Sequence, residues 1–319
     1  MKKINVGIIG RNFGYNVVYK ALKKVKDINV LGFSVKNLSK NFDTENIKVY
    51  KNWKSLVSDK KIDAIFISSP PLTHKKIIKH AIKKKKHIFC DKPVSTSLKN
   101  VNELCEDLHN KKIANFVNYE FKNIDAFSVF KYKYLPKLVV KSVSVNWSIK
   151  ISSKNRSKWK DNHSKGGGNF FNYICHILFY LEDFFGNLEI KSSNLKNTVS
   201  KFNLVTDFLS QKKKIKIRLN FKTINKKSNL IPSHKIIFNT NKGKFVLVTR
   251  MNNIYDQFYL LKNKRVIFKP KNINFDFRLR PTLKNIISFK NCINKNIQAK
   301  PNFDSAKKIH YLIKEIINY

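Results

Sequence analysis

Acidic side chains are scarce in this 319-residue chain. Its 20 Asp and Glu stand against 65 Lys and Arg, leaving a formal charge of +45 at pH 7. Cysteine is scarcer still. The four present, Cys90, Cys105, Cys175 and Cys292, show no CxxC spacing. That argues against a disulfide framework or a zinc site and suits a reducing cytoplasm. No run of about 18 apolar residues occurs, so no membrane-spanning helix is expected. Met1-Lys2-Lys3 and the apolar residues after it imitate a secretion signal. The imitation fails at Gly10-Arg11-Asn12, and no small-residue cleavage site follows, so no leader is expected. There is no internal repeat and no low-complexity linker.

Bulky apolar side chains are plentiful. The apolar fraction is 42%, with 25 Phe and 12 Tyr, which excludes a wholly disordered basic protein. At about 100–200 residues per domain, the length suggests two domains.

The charge invites a nucleic-acid reading. Lys, Asn, Ile, Phe and Tyr are all heavily used, however, and A/T-rich codons encode all five. The lysines run along the whole chain, including the outer sides of expected helices at Lys75, Lys76, Lys79 and Lys83 to Lys86. No basic block stands apart, and no nucleic-acid motif is visible. The expectation is a generally cationic surface with no specific nucleic-acid partner.

Residues 4–9 read as a buried strand, followed by a turn at Gly10 to Gly14. Val17, Val18, Ala21, Leu22 and Val25 then mark one helix face. Further strands are expected at 28–35, 62–68, 87–90 and 113–118, with helices at 73–85 and 97–110. Strands alternating with helices imply a parallel sheet covered on both faces. After about residue 120 the pattern changes. Residues 138–150 alternate as a long antiparallel strand, and strand-like runs recur at 187–195, 213–222, 234–239, 244–249 and 256–268. Helices are expected at 169–185, 282–293 and 304–318. The domains are therefore expected at 1–120 and 121–319, an α/β domain followed by an α+β domain with an open, mostly antiparallel sheet.

A strand, a glycine turn and a helix suit a dinucleotide pyrophosphate, because free backbone N–H groups and a helix N-terminus meet there. The turn here is incomplete. Gly10 is present, but Asn12 and Tyr15 stand at the second and third glycine positions of GxGxxG, and Gly14 is displaced by one. Asn tolerates positive φ, so Asn12 is expected to imitate the tight turn. The second strand ends in Gly32-Phe33-Ser34-Val35-Lys36-Asn37, with no acid to hold ribose hydroxyls. Lys36 can pair with a 2′-phosphate, which leans the cofactor to NADP over NAD.

Three segments in order carry a resemblance. They are Val6-Gly7-Ile8-Ile9-Gly10-x-x-Phe13-Gly14; Ile67-Ser68-Ser69-Pro70-Pro71-x-x-His74 with Lys86-His87-Ile88-Phe89-Cys90-Asp91-Lys92-Pro93; and Gly166-Gly167-Gly168-Asn169-Phe170-Phe171-Asn172-Tyr173-Ile174-Cys175-His176. Together they resemble the glucose–fructose oxidoreductase / inositol 2-dehydrogenase family over residues 1–186. The middle segment resembles that family's Glu-Lys-Pro motif, with Asp for Glu. The last is similar to its glycine-rich approach to a helix bearing Asp-x-x-x-His, with Asn172 for Asp. The resemblance implies a doubly wound Rossmann domain, then an α/β domain whose open sheet faces the substrate. It also implies hydride transfer between a nicotinamide and a CH–OH carbon of a sugar, sugar derivative or cyclic polyol.

Under that resemblance, Gly10, Asn12, Phe13, Gly14, Lys36, Ser69, Pro70, His74, Asp91 and Lys92 are the expected cofactor residues. Lys92 and His176 are expected to handle the proton, and Asn172 to orient. A neutral Asn172 cannot stabilise a neighbouring cation as a carboxylate does. Tyr119 and Trp159 are candidate walls of a sugar pocket, with ordinary core packing as their alternative. The other histidines show no metal-ligand pairing, so no metal is expected. A homo-oligomer, dimer or tetramer, is expected by analogy. The competing reading is a non-catalytic relative that binds a nucleotide or sugar.

Overall fold

Strand β1 (Ile4–Ile9) is buried at every residue except Asn5, as a strand covered on both faces must be. The computed structural model describes residues 3–35, 47–150, 159–198, 201–225, 228–249, 258–271 and 276–319. Lys36 and Asn37 lie outside them. The chain divides into two units. The first comprises Met1–Glu120, Asn162–Phe171 and Arg278–His310; the second comprises Phe121–Asp161, Asn172–Phe277 and Tyr311–Tyr319.

In the first unit β1 is joined by β2 (Ile28–Ser34), β3 (Lys48–Val49), β4 (Ala64–Ile67), β5 (His87–Asp91) and β6 (Asn115–Asn118). All pairs are parallel, in the order β3-β2-β1-β4-β5-β6. That is the doubly wound order, which reverses between β1 and β4. The helix after β1 opens with a π-helical stretch, Gly14–Tyr19, and buries Val17, Val18, Tyr19, Ala21 and Leu22. Helices His74–Lys83 and Leu98–Leu108 follow β4 and β5. Ser97 caps the second, its Oγ accepting from Asn100 N at 3.3 Å. The short β3 and the helix Trp53–Ser58 add to the expected elements, both being too short to show a period in the sequence. Lys86 is no surface lysine. It is buried, and its ammonium donates to the carbonyls of Asp59 at 2.8 Å and Ile62 at 2.5 Å.

A single cut at residue 120 does not describe the first unit, because Arg278–His310 returns to it. Ile286, Phe289 and Cys292 of helix Leu279–Lys295 join the core that holds Val6, Phe66, Phe89 and Phe116. The Phe289 ring lies 5.7 Å from Phe66 and 5.6 Å from Phe89. The same segment covers β6, which would otherwise be a bare edge. Val117 N donates to Pro301 O at 2.8 Å, Gln298 Nε2 to Ile113 O at 2.7 Å, and Phe303 N to Asn115 Oδ1 at 2.8 Å.

The second unit holds an eight-stranded sheet of β7 (Val140–Lys150), β8 (Leu188–Asn197), β9 (Phe202–Ser210), β10 (Lys216–Ile224), β11 (Ser233–Thr240), β12 (Gly243–Val248), β13 (Tyr259–Lys262) and β14 (Arg265–Phe268). Its order is β14-β13-β12-β11-β7-β10-β9-β8. The expected antiparallel β7 is antiparallel to β11 but parallel to β10, with Val145 beside Leu219. Alternation reports which face is buried, not the direction of the neighbour. The 256–268 run becomes a hairpin that turns at Asn263 and Lys264, both at positive φ; residues 256 and 257 lie outside the described ones. Strand β9 is masked in the sequence because Thr206 and Ser210 occupy buried positions in its alternation. Helix Cys175–Phe185 packs on this sheet, with Tyr180 Oη 3.0 Å from His234 Nε2 and Phe184 6.0 Å from Phe238. Among the described residues no helix is long and apolar enough to cross a membrane.

If the returning helix completes the first core, Phe289→Ala should cost about 3–5 kcal/mol, the usual cost of such a cavity. Urea unfolding of wild type and variant measures it. A loss below about 1 kcal/mol would show that the helix is not part of that core.

Candidate active site

Gly10 follows β1 at φ +123°. A Cβ there would fall 2.4 Å from both the carbonyl carbon and oxygen of Ser68, so only glycine lets the turns after β1 and β4 approach. Gly10 N donates to Ser34 O at 3.1 Å, and Ser68 N to Ile9 O at 2.7 Å. The cradle lies at the point where the strand order reverses, where doubly wound sheets bind ligands. Asn12 corrects an expectation. It does not imitate a left-handed glycine but lies in the first helical turn, because Gly10 alone makes the reversal. Gly14 is close-packed, its hypothetical Cβ 3.3 Å from Ile8 Cγ2 and 3.4 Å from Ser68 Cβ. No acidic residue occupies the first turn of Gly14–Tyr19. Dipole and backbone therefore both favour an anion, and the cradle fits a dinucleotide pyrophosphate.

The loop after β4 is braced internally. Ser69 Oγ and Thr73 Oγ1 are 2.6 Å apart, and Thr73 Oγ1 donates to Pro70 O at 2.8 Å. His74, expected at the cofactor, is instead buried beneath this loop at 1% exposure. Its Nε2 lies 2.7 Å from Ser69 O and its Nδ1 2.9 Å from Pro93 O. Burial holds its pKa below the ordinary value, against the pull of these backbone hydrogen bonds. His74 thus ties the Ser69 loop to the Lys92-Pro93 turn, as a positioning residue. Gly166 explains part of the glycine run. It has φ +80°, and a Cβ there would meet Pro71 Cβ at 2.5 Å.

Asp91 ends β5 and pairs in register with Asn118 at the end of β6. Neighbouring parallel strands thereby place Asn118 Nδ2 3.1 Å from Asp91 Oδ1. Asn118 is held in turn by Asn285, whose Nδ2 donates to Asn118 Oδ1 at 2.9 Å, and stands 3.4 Å from Thr282 Oγ1. Asn118, Asn285 and Thr282 are all buried. Sequence reasoning missed Asn118; a polar residue closing an apolar strand beside Asp91 was its one signal. Desolvation, helped by the charge of Glu120, raises Asp91 to about 7, against hydrogen bonds from Ser68 and Asn118 and the charge of Lys92. Lys92 Nζ donates to Phe171 O at 3.0 Å. The first unit thus gathers Gly10, Phe13, Gly14, Ser69, Pro70, Asp91 and Lys92 on one sheet edge.

Tyr119, a candidate pocket wall with core packing as its alternative, is buried at 1% exposure. Asn172, His176 and Trp159 belong to the second unit. Asn172 Nδ2 donates to Lys160 O at 2.7 Å. His176 is buried at 3% exposure, its ring 4.7 Å from that of Phe121. Trp159 is half-buried, with Lys160 Nζ 5.8 Å from its ring centroid. Among the described residues no group of three or more His, Cys, Asp or Glu could hold a metal.

Residues 4–119 match the model of an oxidoreductase family with an NAD-binding Rossmann fold. That third of the chain is similar to the nucleotide-binding domain of this oxidoreductase family. An uncharacterized oxidoreductase of Synechocystis sp. is 24% identical over 210 residues, 62% of this chain and 55% of that protein. The glucose-6-phosphate 3-dehydrogenase of Bacillus subtilis is 22% identical over 255 residues, 76% of this chain and 65% of that protein. The chain therefore spans less than two thirds of the length of either relative. A Clostridium difficile dehydrogenase structure shares the fold across 99% of both chains, with TM-score 0.80 and 17% identity. The matched residues include Asp91-Lys92-Pro93, in which Asp91 Oδ1 accepts from Asn118 Nδ2.

The raised Asp91 pKa has a stability consequence. The folded state holds its proton between about 4, the ordinary carboxylate value, and about 7. The benefit is full below about 4 and is lost as pH rises through 7. Asp91→Asn cannot lose it. The Tm of this variant should therefore gain on wild type as pH rises from about 4 to about 8, and parallel curves would refute the assignment.

Proposed function

We propose that this chain is an NAD(P)-dependent oxidoreductase acting on a CH–OH carbon of a sugar, sugar derivative or cyclic polyol. One observation carries the reading. Lys92 follows β5 on the sheet edge where Gly10 makes the close turn after β1. A nicotinamide cofactor, when bound, accepts or supplies the hydride. The protein's part is to hold it and to manage the proton. Gly10 and the helix N-terminus take the pyrophosphate, and the Ser69-Pro70 loop borders it. Lys92 donates from its ammonium to the reacting oxygen, steadied by Phe171 O. His176 exchanges the hydroxyl proton, and Asn172 orients. The glucose-6-phosphate 3-dehydrogenase relative supports a sugar-like substrate, and the cationic surface suits an anionic one. Lys36 leans the cofactor to NADP. A cytoplasmic homo-oligomer completes the reading.

Asn172 favours a second reading, a non-catalytic binder of nucleotide or sugar. It stands where the family often has Asp, and its amide holds a backbone carbonyl. Turnover on a sugar panel separates the two readings.

Lys92→Met should lower turnover by about two to four powers of ten, the usual contribution of a positioned acid–base group. Its cofactor affinity should change little. His176→Asn should lower turnover similarly, and full activity in both variants would sink the proton assignment. NADPH should bind more tightly than NADH, by about 1.5–3 kcal/mol for one charge-assisted contact. Fluorescence titration of wild type and Lys36→Ala measures this, and equal wild-type affinities would refute the lean to NADP.

A further inference from the structure

Asn118 ends β6 with both polar atoms of its amide engaged. Its Nδ2 donates to Asp91 Oδ1 at 3.1 Å and stands 3.4 Å from Thr282 Oγ1, while its Oδ1 accepts from Asn285 Nδ2 at 2.9 Å. Asn118 is 1% exposed, and Thr282 and Asn285 are 0% exposed. The direction of this hydrogen-bond relay follows from Asp91. An ionised carboxylate only accepts, so Asn118 must turn Nδ2 toward it and leave Oδ1 for Asn285. Asn118 cannot reverse alone. Its Nδ2 would then face the Nδ2 of Asn285, donor against donor at a buried position, which is costly.

The relay bears on a group that changes charge near neutral pH, because Asp91 keeps its proton to about 7. The neutral carboxyl carries that proton on one of its two oxygens. Oδ1 already receives an N–H from Asn118, which leaves Oδ2 for the proton. Two charged groups face Asp91, Lys92 beside it in the chain and Glu120 after β6, and Ser68 of the β4 turn hydrogen-bonds it. From the returning helix, Thr282 and Asn285 act on it through Asn118, and both are uncharged.

We infer that Asn285 is a positioning residue for the Asp91-Lys92 edge: by fixing the Asn118 amide it keeps Asp91 Oδ1 an acceptor and confines the carboxyl proton to Oδ2. A helix far along the chain thereby governs protonation beside Lys92. The consequence for turnover rests on the proposed function above; the titration of Asp91 does not.

The experiment follows Asp91 by carbon-13 NMR of aspartate side-chain carboxyls, with Asp91→Asn identifying its signal. It compares wild type, Asn285→Leu, Asn118→Leu and the double variant; Leu has about the size of Asn and lacks the amide. Asn118→Leu removes the donor that favours the ionised form, so the Asp91 midpoint should rise by about one pH unit. Asn285→Leu should raise it too, and in the Asn118→Leu background that effect should vanish, as action through Asn118 requires. An Asn285→Leu midpoint within about 0.2 pH unit of wild type, or an undiminished shift in the Asn118→Leu background, would overturn the inference. A purely structural role would lower Tm and leave the midpoint alone. Where a thermal melt shows that a variant fails to fold, Ala replaces Leu at that position and the same comparison decides. The turnover pH profile of Asn285→Leu should follow the Asp91 midpoint. A moved midpoint with an unmoved profile would overturn the part given to this edge in turnover and leave the inference standing.

Discussion

Parallel pairing is the constraint on which the first unit depends. Strands that run the same way end on the same edge. Gly10 after β1, Ser68 and Ser69 after β4, Asp91 at the end of β5 and Asn118 at the end of β6 are therefore neighbours by construction. The reversal of strand order between β1 and β4 opens this edge for a ligand. Close approach there needs a residue without a side chain, and Gly10 is that residue. The polar groups on the edge are braced from beneath: His74 ties two loops, and Asn285 holds Asn118, which holds Asp91. Such bracing fixes the side chains that it touches.

The edge cannot stand without the returning segment. β6 closes the parallel sheet, and its outer N–H and C=O groups need partners. Pro301 O accepts from Val117 N and Gln298 Oε1 from Asn115 N, while Phe303 N donates to the Asn115 side chain. Helix Leu279–Lys295 covers the Phe66, Phe89 and Phe116 rings with Phe289 and delivers Thr282 and Asn285 to Asn118. One returning segment thus completes a core, protects an edge and orients the residues beside Asp91-Lys92.

Much of this fold is legible in the sequence, for physical reasons. The strands β1, β4, β5 and β6 show as mostly apolar runs, because burial on both faces leaves little polar alternation, and β2 shows by the apolar residues of its buried second half. Helices His74–Lys83 and Leu98–Leu108 show by their apolar spacing. Most of the second unit's strands show by period two. Directions do not show: β7 reads the same whether its neighbour is parallel or antiparallel, and hydrogen-bond partners alone decide. β9 hides behind buried Thr206 and Ser210, whose hydroxyls find partners at Ser193 and at Phe185 O.

The same division runs through the candidate site. Residue types in order along the chain determined the turn at Gly10, the Asp91-Lys92-Pro93 element and the resemblance to an oxidoreductase family, because local backbone demands leave local marks. Tertiary structure alone decided that Asn12 is helical, that His74 and Tyr119 are buried, and that Asn118 answers Asp91. Each of these depends on which strands or helices become neighbours. Residues far apart in sequence carry no local signal of meeting, because the contact exists only once burial of a shared core has brought their elements together.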